Sequence, residues 1–168
     1  INEWYNPAAA TEATEALIAE GCDAFAFTED SPTVVQVAAE NGLISFAHYG
    51  SQMYTFAPDY VVSGQRVHWE KIYEDFLQKV YDGTYTAHNL QNVDYWWLLT
   101  QGAVAVEGKP DTPINPLYED QLKSYMIDHP EFGEISAYNL FMTRFQQLTD
   151  PGVTFDPFEG PIYDRKGN

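Results

Sequence analysis

Ala24-Phe25-Ala26-Phe27-Thr28-Glu29-Asp30, followed directly by Ser31-Pro32, is the stretch that decides the fold of this chain. A short apolar run with aromatics that ends in an acidic cluster is typical of a buried β-strand. Ser31 suits a helix N-cap and Pro32 suits the first helical position, so the chain is predicted to leave a sheet and enter a helix. In open α/β sheets, small ligands bind at the carboxyl edge of the strands. We therefore expect the Thr28–Asp30 turn to line a binding cleft.

Helices and strands alternate on both sides of this stretch. Asn6-Pro7 begins a predicted helix that Gly21 ends, since glycine readily takes the left-handed conformation that closes helices. A second predicted helix runs from Pro32 to about Glu40, and Leu43–Ala47 is an apolar run of strand length. Strand–helix alternation with short loops predicts a parallel α/β layer sandwich.

The alternation stops after about Ser63, where aromatic residues become denser. We predict a strand at Tyr60–Ser63 and a hairpin of Val93–Leu99 with Ala103–Val106 across a short turn. Three further helices are predicted from apolar spacing. Their ranges are Trp69–Tyr81, Leu117–Asp128 and Glu134–Leu148.

Composition excludes some partners. The 168 residues hold 8 Lys plus Arg against 25 Asp plus Glu, a formal net charge of −17, which repels nucleic acid and anionic membranes. No run of about 18 apolar residues is present, so no membrane span is predicted. Cys22 is the only cysteine, which rules out an intrachain disulfide, and we expect it to be a small buried thiol.

Catalytic signatures are sparse, and neither a metal nor another cofactor is expected. The four histidines lack metal-ligand spacing, and the chain has no nucleophile elbow or glycine-rich phosphate loop. An α/β enzyme with Glu29 or Asp30 as general base remains an alternative to a binding protein. A third alternative is that the chain is a subunit of a structural or interaction protein, which would show a large uncovered apolar face.

The order of motifs resembles the basic membrane protein family of ABC-transporter substrate-binding lipoproteins. The matching stretches are Asn2–Pro7, Ala16–Asp23, Thr28–Pro32, Met53–Pro58, Asp82–Tyr85 and Phe158–Ile162. The resemblance implies a type I periplasmic-binding-protein fold, in which two α/β lobes clamp a solute. It also implies an extracytoplasmic, lipid-anchored receptor that delivers purine nucleosides or bases to an ABC permease. It further implies that this chain is the carboxyl-terminal half of such a receptor and needs the other half or a second chain. Residues 1–62 then form part of the second lobe, and residues 63–168 form the crossover, part of the first lobe, the C-terminal helices and the tail.

The resemblance also implies a set of ligand-binding residues. Trp4 falls on the family's stacking aromatic and Asp30 on its acidic residue, with core packing and helix capping as their respective alternatives. Gly50 and Gln52 stand where acidic residues are usual, so this chain departs from the pattern for ribose. His48 or Tyr49 is a candidate substitute, with an ordinary loop role as the alternative. The predicted cleft residues are Trp4, Phe27, Thr28, Asp30, Tyr49, Gln52 and Trp69.

Overall fold

A computed structural model of the chain describes residues 3–150 and residue 152. Its first half alternates helices and strands, as predicted. The elements are α1 (Pro7–Ala19), β1 (Ala24–Ala26), α2 (Thr33–Glu40), β2 (Ile44–His48), the short α3 (Gly50–Met53) and β3 (Val61–Val67). The Asn6 side chain accepts a hydrogen bond from Ala9 N and caps α1, which explains why the helix begins there.

The sheet has four strands in the order β1-β2-β3-β4, where β4 is Val104–Val106. The pairings β1–β2 and β2–β3 are parallel, whereas β3–β4 is antiparallel. His48, the last residue of β2, lies opposite Gln65 of β3. The predicted α/β class is confirmed: the sheet is mainly parallel and is flanked by helices, consistent with a periplasmic-binding-protein-like fold.

Two apolar clusters join the helices to one face of the sheet. Phe25 packs with Val34 and Ala38 of α2 and with Ala10 of α1. The neighbouring cluster contains Val35, Ala47, Met53, Ala57 and Val61. Val34, Val35 and Ala38 recur at helical spacing, so α2 presents one apolar stripe to both clusters.

The opposite face of β2 is open in the part of the chain that the structure describes. Ser45 and Ala47 are buried, whereas Phe46 between them is 44% exposed. Alternate residues of a strand point to opposite faces, so the helices cover only one of them. Mainly parallel sheets are usually covered on both faces.

The second half contains less of the sheet. Its remaining elements are α4 (Trp69–Tyr81), α5 (Glu119–Ser124), β5 (Met126–His129), β6 (Gly133–Ser136) and α6 (Ala137–Thr149). β5 and β6 form a separate antiparallel pair. None of the helices in the described residues is long and apolar enough to cross a membrane.

The predicted hairpin of Val93–Leu99 with Ala103–Val106 is wrong. The first segment forms no strand, and β4 pairs with β3 instead. Tyr95 donates a hydrogen bond to Asp75 of α4 at 2.7 Å, and the Gln101 side chain accepts from Leu98 N at 2.8 Å. The first contact holds the segment against α4, and the second stabilises the helical turn Leu99–Gln101 that follows it. The segment has no partner strand, so its strand propensity does not produce a strand.

The predicted boundaries of the last two helices are also wrong. α5 ends at Ser124, and α6 begins at Ala137 with Ser136 as its N-cap. Gly133, with φ of +66°, supplies the turn conformation that lets β5 and β6 pair between them. Some residues of the predicted helices, such as Met126 and Ile135, therefore belong to β5 and β6.

Two remaining predictions concern Cys22 and the motif near the end of the chain. Cys22 is exposed, not buried, because it lies in the turn after Gly21, whose φ of +90° carries the chain away from α1. The motif Phe158–Ile162 lies outside the described residues.

Candidate functional site

The parallel strands end on one edge of the sheet. Thr28–Asp30 lie in the turn after β1, Tyr49 and the start of α3 follow β2, and His68 and the start of α4 follow β3. This is the edge at which the sequence predicted a cleft.

A backbone hydrogen bond joins the two principal predicted ligand residues. Asp30 N donates to Trp4 O at 2.8 Å, so the segment before α1 runs beside the turn after β1. The Trp4 residue is 74% exposed and the Asp30 side chain 42% exposed. An aromatic ring and a carboxylate thus stand on neighbouring chain segments, both open to a ligand.

Glu29, next to Asp30, is buried in a network of its own. Its Oε1 accepts from Asn6 N at 2.9 Å, and its Oε2 accepts from Ser31 N at 2.9 Å and from the Ser31 hydroxyl at 2.5 Å. Burial by itself raises the pKa of the Glu29 carboxyl, but the hydrogen bonds from Ser31 and Asn6 together outweigh it and leave the pKa lowered. Glu29 therefore ties the start of α1 to the start of α2 and is a weak base.

Asp30 has a second partner across the strand ends. His48 Nε2 lies 3.4 Å from Asp30 Oδ1, and His48 Nδ1 is hydrogen-bonded to Gln65 Nε2. The His48 side chain is 12% exposed, and its ring lies 4.0 Å from the Tyr49 ring between centroids. A polar chain thus crosses from β3 through β2 to the turn after β1.

A further polar cluster stands at the end of β3. Arg66 Nη1 donates to Ser51 Oγ at 3.1 Å and lies 3.3 Å from Glu107 Oε2. His68 Nε2 lies 3.9 Å from Glu107 Oε1. Glu107 is buried, so Arg66 supplies the opposite charge that its carboxylate needs.

Gly50 is held where no side chain fits. A Cβ there would lie 1.9 Å from Glu107 O and 2.9 Å from the Cα of Gly64. The resemblance places an acidic residue at this position, and in this fold the neighbouring backbone excludes it. The carboxylates beside these strand ends are accordingly those of Glu29, Asp30 and Glu107.

A cavity of about 520 Å³ lies between α1 and the outer edge of β1. Three of the predicted site residues line it, Trp4, Phe27 and Thr28. Most of the remaining wall is apolar and comes from α1, β1 and α2, and Asp30 is not part of it. No described strand pairs with this edge of β1.

The other predicted residues stand apart from this cavity. Tyr49 is half-buried with φ of +54°, Gln52 is exposed in α3, and Trp69 is 50% exposed at the first position of α4. Trp69 stacks on Tyr73 with ring centroids 6.4 Å apart. The structure therefore brings Trp4 and Asp30 together, with Phe27 and Thr28 on the same turn, and does not place Trp69 in contact with them.

His48 is not among the predicted cleft residues, and no role is predicted for Gln65. The available signal was position: a polar residue that ends a strand inside a parallel sheet points to the ligand-binding edge. Within the described residues, no group of three or more His, Cys, Asp or Glu side chains is placed to hold a metal ion.

Comparisons with known proteins agree with the motif order. No protein-family model matches the chain. It is 33% identical over 104 residues, 62% of its length and 28% of the relative's, to a purine-binding protein of Brucella abortus. It is 32% identical over 87 residues, 52% of its length and 22% of the relative's, to a putative ABC transporter glucose-binding protein of Haloferax volcanii. The chain thus spans about a quarter of the length of these curated relatives, and the similarities confirm its resemblance to part of a solute-binding receptor.

Proposed function

We propose that this chain is part of the extracytoplasmic solute-binding component of an ABC importer, and that its ligand is a purine base or nucleoside. The observation that carries the proposal is the 2.8 Å hydrogen bond from Asp30 N to Trp4 O, which joins the backbones of two residues whose side chains are exposed. The relatives named as purine-binding and glucose-binding proteins support a solute-binding role.

Each of the two side chains has a distinct task in this proposal. The Trp4 ring stacks on the flat purine, a contact worth roughly 0.5–1.5 kcal/mol beyond area burial. The Asp30 carboxylate accepts hydrogen bonds from ring N–H, amino or hydroxyl groups. The ligand is held and released unchanged.

The backbone around Gly50 bears on ligand choice. In the family that this chain resembles, an acidic residue at this position usually binds the ribose hydroxyls. Here the backbone excludes any side chain, so that acidic residue is missing. We therefore expect a free purine base to bind at least as tightly as its nucleoside.

We further propose that the chain contributes to two lobes, residues 1–62 to the second and residues 63–168 to the crossover and the first. Exposed apolar side chains on α4 support this: Trp69, Tyr73 and Leu77 are each at least half exposed. The rest of the receptor, absent from this polypeptide, covers them in the proposal, and the assembled receptor delivers its solute to a permease. A lipid anchor on the complete receptor would hold it at the outer side of the membrane.

The test uses the full-length protein that contains this chain. Native mass spectrometry is expected to detect a co-purified purine, and calorimetric titration with adenine, guanine, hypoxanthine, their nucleosides and glucose ranks the ligands. Trp4→Ala should weaken purine binding about tenfold through lost stacking. Tyr81→Ala, which removes an 88% exposed ring at the end of α4, is the matched control.

Two results would contradict the proposal. Unchanged affinity in Trp4→Ala removes Trp4 from the site. Turnover of a nucleoside by the intact protein favours the alternative of an enzyme with Asp30 as general base.

A further inference from the structure

We propose that His48 is a positioning residue of the solute site: it fixes one oxygen of the Asp30 carboxylate and thereby selects ligands that offer a hydrogen-bond donor to the other. This inference rests on the proposed function. It concerns a residue that contacts Asp30 and not the residues that stack on the ligand.

The first step is the placement of the three side chains. Gln65 and His48 are register partners on β3 and β2, and Asp30 follows β1. Adjacent parallel strands therefore deliver an amide, an imidazole and a carboxylate to one edge in a row. His48 is in the middle and has a hydrogen bond or close polar contact on each ring nitrogen.

The second step is the position of the imidazole proton. The Gln65 amide nitrogen is a donor, so with the amide in the orientation described, His48 Nδ1 accepts and the proton lies on Nε2, facing Asp30 Oδ1. His48 therefore presents a ring N–H to Asp30.

The third step is what this does to Asp30. The His48 side chain is 12% exposed and packed against the Tyr49 ring, so its donor is held in place before a ligand arrives. His48 Nε2 lies 3.4 Å from Asp30 Oδ1, so a proton on Nε2 faces that oxygen, and the half-exposed Asp30 side chain offers its remaining acceptor sites to a ligand. A ligand group that carries only lone pairs is repelled there, whereas an N–H or O–H group is bound.

The experiment compares two substitutions at His48 in the full-length protein. His48→Gln retains an N–H donor at about the reach of Nε2, and His48→Phe keeps a ring without a donor. With the tightest-binding of adenine, guanine and hypoxanthine as probe, we expect His48→Phe to weaken binding at least tenfold and His48→Gln to stay within about threefold of wild type.

A cycle with Asp30→Asn distinguishes positioning from general support of the fold. If His48 acts through the Asp30 carboxylate, His48→Phe adds little further loss once Asp30 is Asn. Gln65→Leu removes the contact on His48 Nδ1 without contacting Asp30, and it should produce an intermediate loss of purine affinity. This variant replaces His48→Phe in the test if His48→Phe does not fold. Nitrogen NMR shifts of the ligand-free protein should show His48 protonated on Nε2.

The outcomes separate this inference from the proposed function. If wild type binds none of the three purines, the proposed ligand class fails, and the same variants are measured with glucose; failure of both probes overturns the inference as well. If wild type binds but His48→Phe has wild-type affinity, or its loss is fully additive with Asp30→Asn, the inference alone is wrong. An Nε2 without a proton also overturns it.

Discussion

Glu29 and Asp30 are adjacent carboxylates, yet the fold surrounds them differently. Glu29 is 8% exposed and accepts hydrogen bonds from Asn6 and Ser31, whereas the Asp30 side chain is 42% exposed and contacts His48. Successive residues near a strand end point in opposite directions, so one carboxylate faces inward and the other outward. Glu29 therefore acts on stability, and Asp30 is the residue that a ligand reaches.

Glu29→Gln should destabilise the protein at neutral pH by about 1–3 kcal/mol, because an amide group cannot accept at both ends the hydrogen bonds that the carboxylate accepts. The pKa of Glu29 is lowered in the folded state, so its stabilising contribution is fully present above the ordinary glutamate pKa of about 4.3 and is lost as pH falls through the lower folded-state value. Urea unfolding of both proteins at pH 7 and at about pH 3 measures this. The difference in unfolding free energy between wild type and Glu29→Gln should be smaller in acid than at pH 7. A larger difference in acid would contradict the assigned hydrogen bonds.

At the scale of elements, the contact between the start of α3 and β3 shapes the ligand edge. A Cβ on Gly64 would lie 2.2 Å from Ala47 O and 2.7 Å from the Cα of Gly50. The obstacles are backbone atoms, which do not move aside as side chains do. Close approach of β2, α3 and β3 is therefore possible only with glycine at both positions.

Gly64→Ala should destabilise the protein by about 3 kcal/mol through this overpacking. Gly83→Ala is the control, because a Cβ there meets no atom within 4 Å and only its φ of +73° disfavours alanine, at about 1 kcal/mol. Denaturant midpoints of the two variants measure the difference. Equal losses would mean that the sheet and α3 adjust around an added methyl group.

At the scale of the whole molecule, apolar surface and charge act against each other. The open face of β2 exposes Phe46, and α4 exposes Tyr73 and Leu77, with no buried residue along the helix. A net charge of −17 opposes association of two such chains, and salt screens that repulsion.

We expect the isolated 168-residue polypeptide to self-associate through these exposed apolar residues, more strongly as salt is added. The double variant Tyr73→Gln, Leu77→Gln removes apolar surface from α4 without changing the charge and should weaken association at least tenfold. Gln78→Asn on the same helix, which also leaves the charge unchanged, is the control, and sedimentation at low and high salt is the measurement. If the polypeptide stays monomeric under all these conditions, the exposed residues of α4 no longer support the proposal that another part of the receptor covers them.

The first half of the fold could be predicted because its signals are local. Asn6-Pro7, Gly21 and the spacing of Val34, Val35 and Ala38 each act over a few residues, and the observed helices follow them. The segment Val93–Leu99 was mispredicted because its conformation depends on Tyr95 reaching Asp75, 20 residues away. Local propensity carries no information about such a partner.

The sequence by itself determined that this chain is an α/β protein with a strand-to-helix turn at Thr28–Asp30, because strand and helix periodicity depend on neighbouring residues. The predicted Ser31 cap is wrong: α2 begins at Thr33, and Pro32 is its N-cap without a side-chain hydrogen bond. Only the tertiary structure decided that Asp30 meets His48, that Glu29 is buried by hydrogen bonds, and that Gly50 excludes a side chain. The physical reason is that parallel pairing sets together residues far apart in the chain, and the register of that pairing depends on the packing of the whole sheet.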